Sequence, residues 1–424
     1  MTKRVFTKFG RLLTRIALCA LLPISAQADV ATHCSATKTD NVLANWLAEN
    51  VTQHPSVLAA KAAVEASKFQ KEAANQALYN PELELATESI DEVSTTTIGI
   101  SQTLDWGDRR EANIKLAKSQ FNIANEQLKV LEQDIALKLL AALSEYHTSE
   151  RLQSVAKQRR QLMERFVKLA KQRFSYGDLT KVDIDLAKLS YAQARFNQAS
   201  EQIEYIRSKQ QLISLSGANG LDWPLMPVEF PKPSLQNDAE NKIRQLPQML
   251  LALAAVESAQ ATMKQQVSQS VVNPTLSIHA GKEESDDVLG LTFSMPLQFR
   301  NNYKAEIGVA NAQLIQAEKE ASARFRELTS RYQVSIASYQ LSREAWAFWQ
   351  QFGAATLNDQ IDLLERLWKA GELSTTDYLT QLIQALETKT AAIQQRGQLW
   401  KDWAKWQLAT GQIEQCLLKE SEGE

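Results

Sequence analysis

Residues 82–104 read ELELATESIDEVSTTTIGISQTL, and residues 275–295 read TLSIHAGKEESDDVLGLTFSM. In the first stretch Leu83 and Leu85 alternate with Glu84 and Ala86, and Ile98 and Ile100 alternate with Thr97, Gly99 and Ser101. In the second, Leu276 and Ile278 alternate with Ser277 and His279, and Leu289, Leu291, Phe293 and Met295 with Gly290, Thr292 and Ser294. A period of two sets apolar side chains on one face of a strand and polar ones on the other. Each stretch therefore predicts two strands of roughly 9–11 residues, the length of a tilted membrane-crossing strand. A soluble hairpin whose apolar face covers the helices fits the same pattern. Four strands cannot close a barrel, and an open sheet cannot sit in lipid with unpaired edges. If the strands cross a membrane, the chain must oligomerise. Two copies would give about eight strands and a filled interior, three about twelve and room for a pore.

The two stretches belong to a tandem repeat. Ala62-Ala63-Val64-Glu65 returns as Ala254-Ala255-Val256-Glu257, and Asn80-Pro81 as Asn273-Pro274. Gly177-Asp178-Leu179 and Asp183 return as Gly371-Glu372-Leu373 and Asp377. An offset that stays between 192 and 194 residues and keeps its order along the chain is the mark of duplication. Each half runs helix, Asn-Pro, two strands, a very long helix, a Gly turn and a returning helix. The expected division is 1–28 as a signal peptide, 29–215 as the first repeat, 216–247 as a linker or small packing domain, 248–412 as the second repeat and 413–424 as a tail. Pro224, Pro227, Pro231 and Pro233 forbid a continuous helix through the linker.

From Asp108 to Ser175 no proline interrupts the chain, so one helix of about 100 Å is expected. Ile114, Ala117, Phe121, Ala124, Leu128, Leu131 and Ile135 recur at spacings of three and four, as do Ile307, Ala310, Leu314, Ala317 and Ala321. That is a coiled-coil seam or the core stripe of a bundle. The helices returning after Gly177 and Gly371 supply neighbours of matching length.

The N-terminus carries Lys3, Arg4, Lys8, Arg11 and Arg15, then an apolar run from Ile16 to Ile24 and the small residues around Ala26-Gln27-Ala28. This is the layout of a secretory signal, with cleavage expected before Asp29. The run is about half of what a spanning helix needs, and Leu18 before Cys19 argues against a lipoprotein site. Without the leader, 42 basic residues face 49 acidic ones, a balance that does not suit nucleic acid. Cys34 and Cys416 then remain; in an oxidising compartment they form either a bridge joining the two ends, worth up to roughly 5 kcal/mol, or two independent thiols. His33, His54, His147 and His279 are scattered, and no His-Glu-x-x-His, Cys-x-x-Cys, Gly-x-Ser-x-Gly or phosphate loop occurs. No catalytic residue, cofactor site or metal site is expected. Trp106, Tyr79 and Phe299 near the strand ends suit an interfacial aromatic girdle or simple junction packing.

Signal, duplication, two strands per half and long helical hairpins together resemble the TolC-type outer membrane efflux family. Asn80-Pro81-Glu82-Leu83, the run Ser101-Gln102-Thr103-Leu104-Asp105-Trp106-Gly107-Asp108-Arg109-Arg110, and Met295-Pro296-Leu297 with Arg300-Asn301-Asn302 are similar to the branch serving heavy-metal and other cation pumps of the RND type. The resemblance implies a mainly α fold with a small β part, assembled as a homotrimer. A twelve-stranded barrel in outer-membrane lipid would stand on a twelve-helix periplasmic α-barrel. It implies a passive exit duct whose lower tips meet a periplasmic adaptor protein linked to an inner-membrane pump, with no nucleic acid involved. Carried over, the adaptor-docking tips are Arg173, Tyr176, Gly177, Asp178 and Leu179, and Trp368, Gly371, Glu372 and Leu373. Asp183 and Asp377 become candidates for a constriction, and serve equally well as helix-start carboxylates. A periplasmic coiled-coil scaffold without a pore, and a duct for type I protein secretion, remain as alternatives.

Overall fold

The computed structural model describes residues 38–91, 93–217, 223–233 and 238–413, with the side chains of 38–41 and 358 left aside. The expected leader, His33, Cys34, Cys416 and the C-terminal tail lie outside these residues. Helices α1 (Lys38–Thr52) and α2 (Pro55–Ala74) precede strands β1 (Glu82–Ile90) and β2 (Val93–Thr103). Helix α3 (Arg109–Ser175) descends from the strands and α4 (Lys181–Ser216) returns. An irregular segment at 223–233 and the short α5 (Ala239–Gln245) lead to the second repeat, which comprises α6 (Pro247–Gln269), β3 (Thr275–Glu283), β4 (Asp286–Ser294), α7 (Lys304–Phe348), α8 (Ala354–Ala370) and α9 (Thr375–Ala409).

The proline-free run is a single helix of 67 residues. Its counterpart in the second repeat is interrupted between α7 and α8 by a π-helical turn, Trp349–Gly353. There the Trp349 ring fills the space that a Cβ on residue 353 would need, so glycine lets the indole lie against the helix it comes from. Along the upper seam Ala117 and Ile135 are buried and Ile114, Phe121, Ala124, Leu128 and Leu131 half-buried, and the small side chains let neighbouring helices approach.

All four strands form one antiparallel sheet in the order β1-β2-β3-β4. Two-residue turns close each hairpin, with Asp91 and Glu284 at φ +54° and +53°, the left-handed geometry such turns require. The β2–β3 pairing joins the two halves and sets Ile100 opposite Ile278. Aligned rows Leu83, Ile100, Ile278, Leu291 and Leu85, Ile98, Ala280, Leu289 share one face. Leu85 is 73% exposed and Leu289 80%. The arrangement in which the apolar face covers the helices is therefore not what forms: the sheet projects beyond the helices with its apolar face bare.

Beneath it the helices repeat the order of the strands. The upper layer runs α2-α3-α6-α7, and the lower layer α4-α3-α9 followed by α7 and α8. At mid-height Leu139, Leu143, Leu212 and Trp400 are buried in one cluster, and Met249, Tyr332, Tyr339 and Trp406 in the next. The segment 223–233 straps these helices together through its carbonyls. Pro224 O bonds to His147 Nε2 at 2.9 Å, Pro227 O accepts from Trp400 Nε1 at 2.9 Å, and Pro231 O accepts from Tyr339 Oη at 2.7 Å. A proline-rich chain lacks the N–H groups for a strand ladder, so buried side chains of α3, α7 and α9 satisfy its acceptors instead.

Candidate functional site

The two hairpin ends are built alike. At the first, Gly177 (φ +85°) follows α3, and Asp178 N donates to Arg173 O at 2.9 Å. At the second, Gly371 (φ +81°) follows α8, and Glu372 N donates to Leu367 O at 3.0 Å. This is the Schellman arrangement, with glycine in the position where a side chain costs most. Leu179 and Leu373 then pack against the lower core. Thr180 and Ser374 cap the returning helices, their hydroxyls accepting from Asp183 N at 3.3 Å and Asp377 N at 3.1 Å. The carboxylates answer: Asp183 Oδ2 accepts from Thr180 N at 3.0 Å, and Asp377 Oδ2 from Ser374 Oγ at 2.7 Å. Both acids thus sit as helix-start carboxylates in the first turns of α4 and α9. Tyr176, Gly177, Asp178, Gly371 and Glu372 are solvent-exposed, which leaves both turns open to a partner.

Trp368 differs from the other tip residues in being 2% exposed. Its indole stacks on Tyr378 at 5.0 Å and tilts against Phe166 at 4.7 Å. Arg173 lies over the same indole at 5.1 Å and donates to Lys369 O at 2.9 Å. A residue of the first tip therefore grips the second, through a cation–π contact and a cap on the end of α8. Burial, and secondarily Glu365, pushes the Tyr378 phenol up to about 12. On the exposed side of the first tip Asp185 is held below the usual carboxylate range by hydrogen bonds from Lys181 and then Lys188.

Residues 46–218 match the profile of the outer membrane efflux protein family. The match runs from within α1 to just past the end of α4 and so takes in most of the first repeat. No curated protein matches the chain in sequence. Among solved structures the fold is similar to CusC, described in terms of transmembrane channel formation, with TM-score 0.73, 13% identity, and 87% of this chain and 92% of that one covered. It is also similar to the outer membrane protein VceC of Vibrio cholerae (TM-score 0.71, 15% identity, 87% and 96% covered). A third likeness is to the CmeC outer membrane channel of Campylobacter jejuni (TM-score 0.72, 12% identity, 87% and 85% covered).

The strand-to-helix junction holds residues whose roles the sequence does not disclose. Asp105 accepts from the N–H groups of Arg109 and Arg110, both at 2.9 Å, and so starts α3. The Arg109 guanidinium donates to Gln269 O at 2.9 Å and Val271 O at 2.7 Å, at the end of α6. Arg110 donates to Gln76 O at 3.1 Å, just past the end of α2. One Arg-Arg pair thereby caps the helices that precede the strands in both repeats, each cation at a helix C-terminus where the dipole favours it. Asn273 Oδ1 accepts from the N–H groups of Trp106 and Gly107 at 3.1 and 3.2 Å, and its Nδ2 donates to Tyr79 Oη at 3.1 Å. Tyr79 is thus a junction residue, whereas Trp106 and Phe299 are exposed, as a girdle requires. The remaining described histidines are accounted for structurally. His54 Nδ1 accepts from Ser56 N at 3.2 Å at the head of α2, His147 holds the strap, and His279 lies on the polar face of β3.

Proposed function

We propose that the chain is one subunit of a trimeric outer-membrane exit duct, which passively carries small molecules or metal cations outward from a periplasmic adaptor and an inner-membrane RND-type pump. The observation that carries this reading is that every layer of the fold ends in an open flank. Strands β1 and β4 each have an unpaired edge. In the upper layer α3 lies between α2 and α6, but α7, its repeat counterpart, contacts α6 alone of that pair. The missing neighbour is the next copy's α2. In the lower layer α4 exposes Val182, Leu189, Phe196 and Ile203 at seven-residue spacing, and α7 exposes Val334, Leu341 and Phe348 at the same spacing. Two apolar seams of heptad period, on helices that run in opposite senses, are complementary.

Three copies supply about twelve strands, apolar outward and polar inward, which is the composition lipid demands of a barrel with a wet lumen. The expected leader would bring the chain to that membrane. The tips around Gly177 and Gly371 serve as the adaptor surface, and a three-fold set of Asp183 and Asp377 as the polar constriction. Metal cations lead as cargo through the likeness of the 101–110 segment to the cation branch.

Washed outer membranes extracted with gentle detergent, followed by mass determination with detergent subtracted, test the assembly. A trimer found only in the detergent fraction is expected. A monomer or dimer released by salt or osmotic shock would discard the duct in favour of a periplasmic scaffold.

A further inference from the structure

On the polar face of the sheet the aligned row reads Glu84, Gly99, His279, Gly290. The histidine has a glycine on the neighbouring strand to either side. A Cβ at 99 would stand 2.9 Å from the His279 Cβ, and a Cβ at 290 would overlap Nε2 and Cε1 of the imidazole. The ring therefore lies across β4, in the space Gly290 leaves empty, and extends toward the unpaired edge of the sheet. We propose that His279 reaches over Gly290 to hydrogen-bond Glu88 of the next copy across the subunit seam. This rests on the trimeric reading above, since it needs β4 paired with the β1 of a second chain.

The register follows from closure. Strands about 4.8 Å apart and tilted by about 35–45° displace a row along the strand by roughly 13–19 Å over four strands. That is about four to six residues at ~3.3 Å each. Only even displacements keep polar side chains facing inward. A shift of four toward the far end of β1 sets Glu88 opposite Gly290, and a shift of six sets Ile90 there with Glu88 diagonally beside it. The opposite direction would set residues that precede β1 against Gly290 and leave the upper half of β1 unpaired. In the favoured direction the alternating segment from Met295 to Phe299 continues β4 beside the lower half of β1.

The ionisable groups on the same polar face are Glu82, Glu84 and Glu88 of β1, Glu283 of β3 and Asp286 of β4, with none on β2. Glu84 of the same chain lies two strands away on the side the imidazole does not take. An imidazole N–H donating to a carboxylate across a barrel seam is a charge-assisted bond, formed three times per trimer.

The test uses the full-length protein in detergent and reads the temperature at which trimers dissociate. His279→Ala and Glu88→Gln should each lower it by several degrees, and the double variant by no more than the larger single effect. His279→Gln, which keeps a donor, should recover part of the loss, and Glu84→Gln should leave the temperature unchanged. Gly290→Val, which evicts the ring from its bed, should resemble His279→Ala. Additive single effects, no effect at all, or coupling to Glu84 in place of Glu88 would overturn the seam contact while leaving the trimer intact. Failure to find a wild-type trimer would overturn the trimeric reading itself.

Discussion

The two helical hairpins repeat one order of elements, yet among the described residues only the second contains a break. Helix α3 runs 67 residues without interruption, whereas α7 and α8 are parted by the π turn at Trp349–Gly353. Their tips share glycine, acid, leucine and capping hydroxyl, but the residues just before the glycines differ in burial. Trp368 is 2% exposed, while Phe174, its counterpart in the first repeat, is 40% exposed. Beyond the leucine that each tip packs against the lower core, the second tip is anchored by an aromatic cluster and the first by Arg173 reaching across to it. The two tips keep the same turn but differ in what anchors it, and the π turn places a local irregularity above the second tip.

The largest contrast should come from removing the anchors. Trp368→Ala deletes a buried indole that touches Tyr378, Phe166 and Arg173, at a cost of about 3–5 kcal/mol. Phe174→Ala should cost well under ~1 kcal/mol, since a side chain this exposed loses little on truncation. Thermal unfolding of the detergent-solubilised protein by circular dichroism measures both. Equal losses would mean that the tips are anchored alike. Next comes the break itself. Gly353→Ala forces the Trp349 ring away from the helix and should cost about 1–3 kcal/mol, whereas Arg159→Ala at the matching point of α3 should stay within about 0.5 kcal/mol.

The turns should respond equally. Gly177→Ala and Gly371→Ala each place a Cβ in open space but at positive φ, so each should cost about 1 kcal/mol from the backbone alone. Thr180→Ala and Ser374→Ala should likewise lose about 1 kcal/mol apiece as N-caps. A bulkier Gly371→Leu should leave the trimer intact and abolish efflux in cells carrying the cognate pump. Unchanged resistance would remove that turn from the adaptor surface.

The strands, the recurring order of elements and both turns were legible because each rests on a simple rule: period two, a nearly constant offset, and glycine followed by a capping hydroxyl. Asp183 and Asp377 were legible as helix-start carboxylates for the same reason. What stayed hidden is contact between segments far apart in the chain. Nothing near Pro224, Pro227 or Pro231 announces that His147, Trp400 and Tyr339 will take their carbonyls. Arg109 and Arg110 stood out as a family-like motif, but their acceptors lie at the ends of α6 and α2, 160 and 34 residues away. The π turn stayed hidden because one extra residue turns everything after it by about 100° while leaving the spacing within each flanking helix unchanged. The buried state of Trp368 was equally invisible, since its repeat counterpart is a half-open phenylalanine at the same place.

The smallest effect at neutral pH is the one that isolates the anchored tip by titration. Burial lifts the Tyr378 phenol from its ordinary value near 10 to about 12. The fold therefore favours the protonated form, and the stability this brings is fully present below pH ~10 and is lost as pH rises through about 12. Tyr378→Phe has no proton to lose, so its stability should not fall in that window on account of this position. Tyr146, Tyr332 and Tyr339 are shifted upward by burial as well, so the wild-type curve contains several contributions and only the difference between the two proteins belongs to the tip. Ile184 occupies the matching place in the first repeat, so no such difference can arise there. Unfolding followed between pH 9 and 12 should show the wild type losing stability faster than Tyr378→Phe. Parallel curves would mean that water reaches the phenol in the assembled protein, and that the lower end of the second hairpin is open rather than packed.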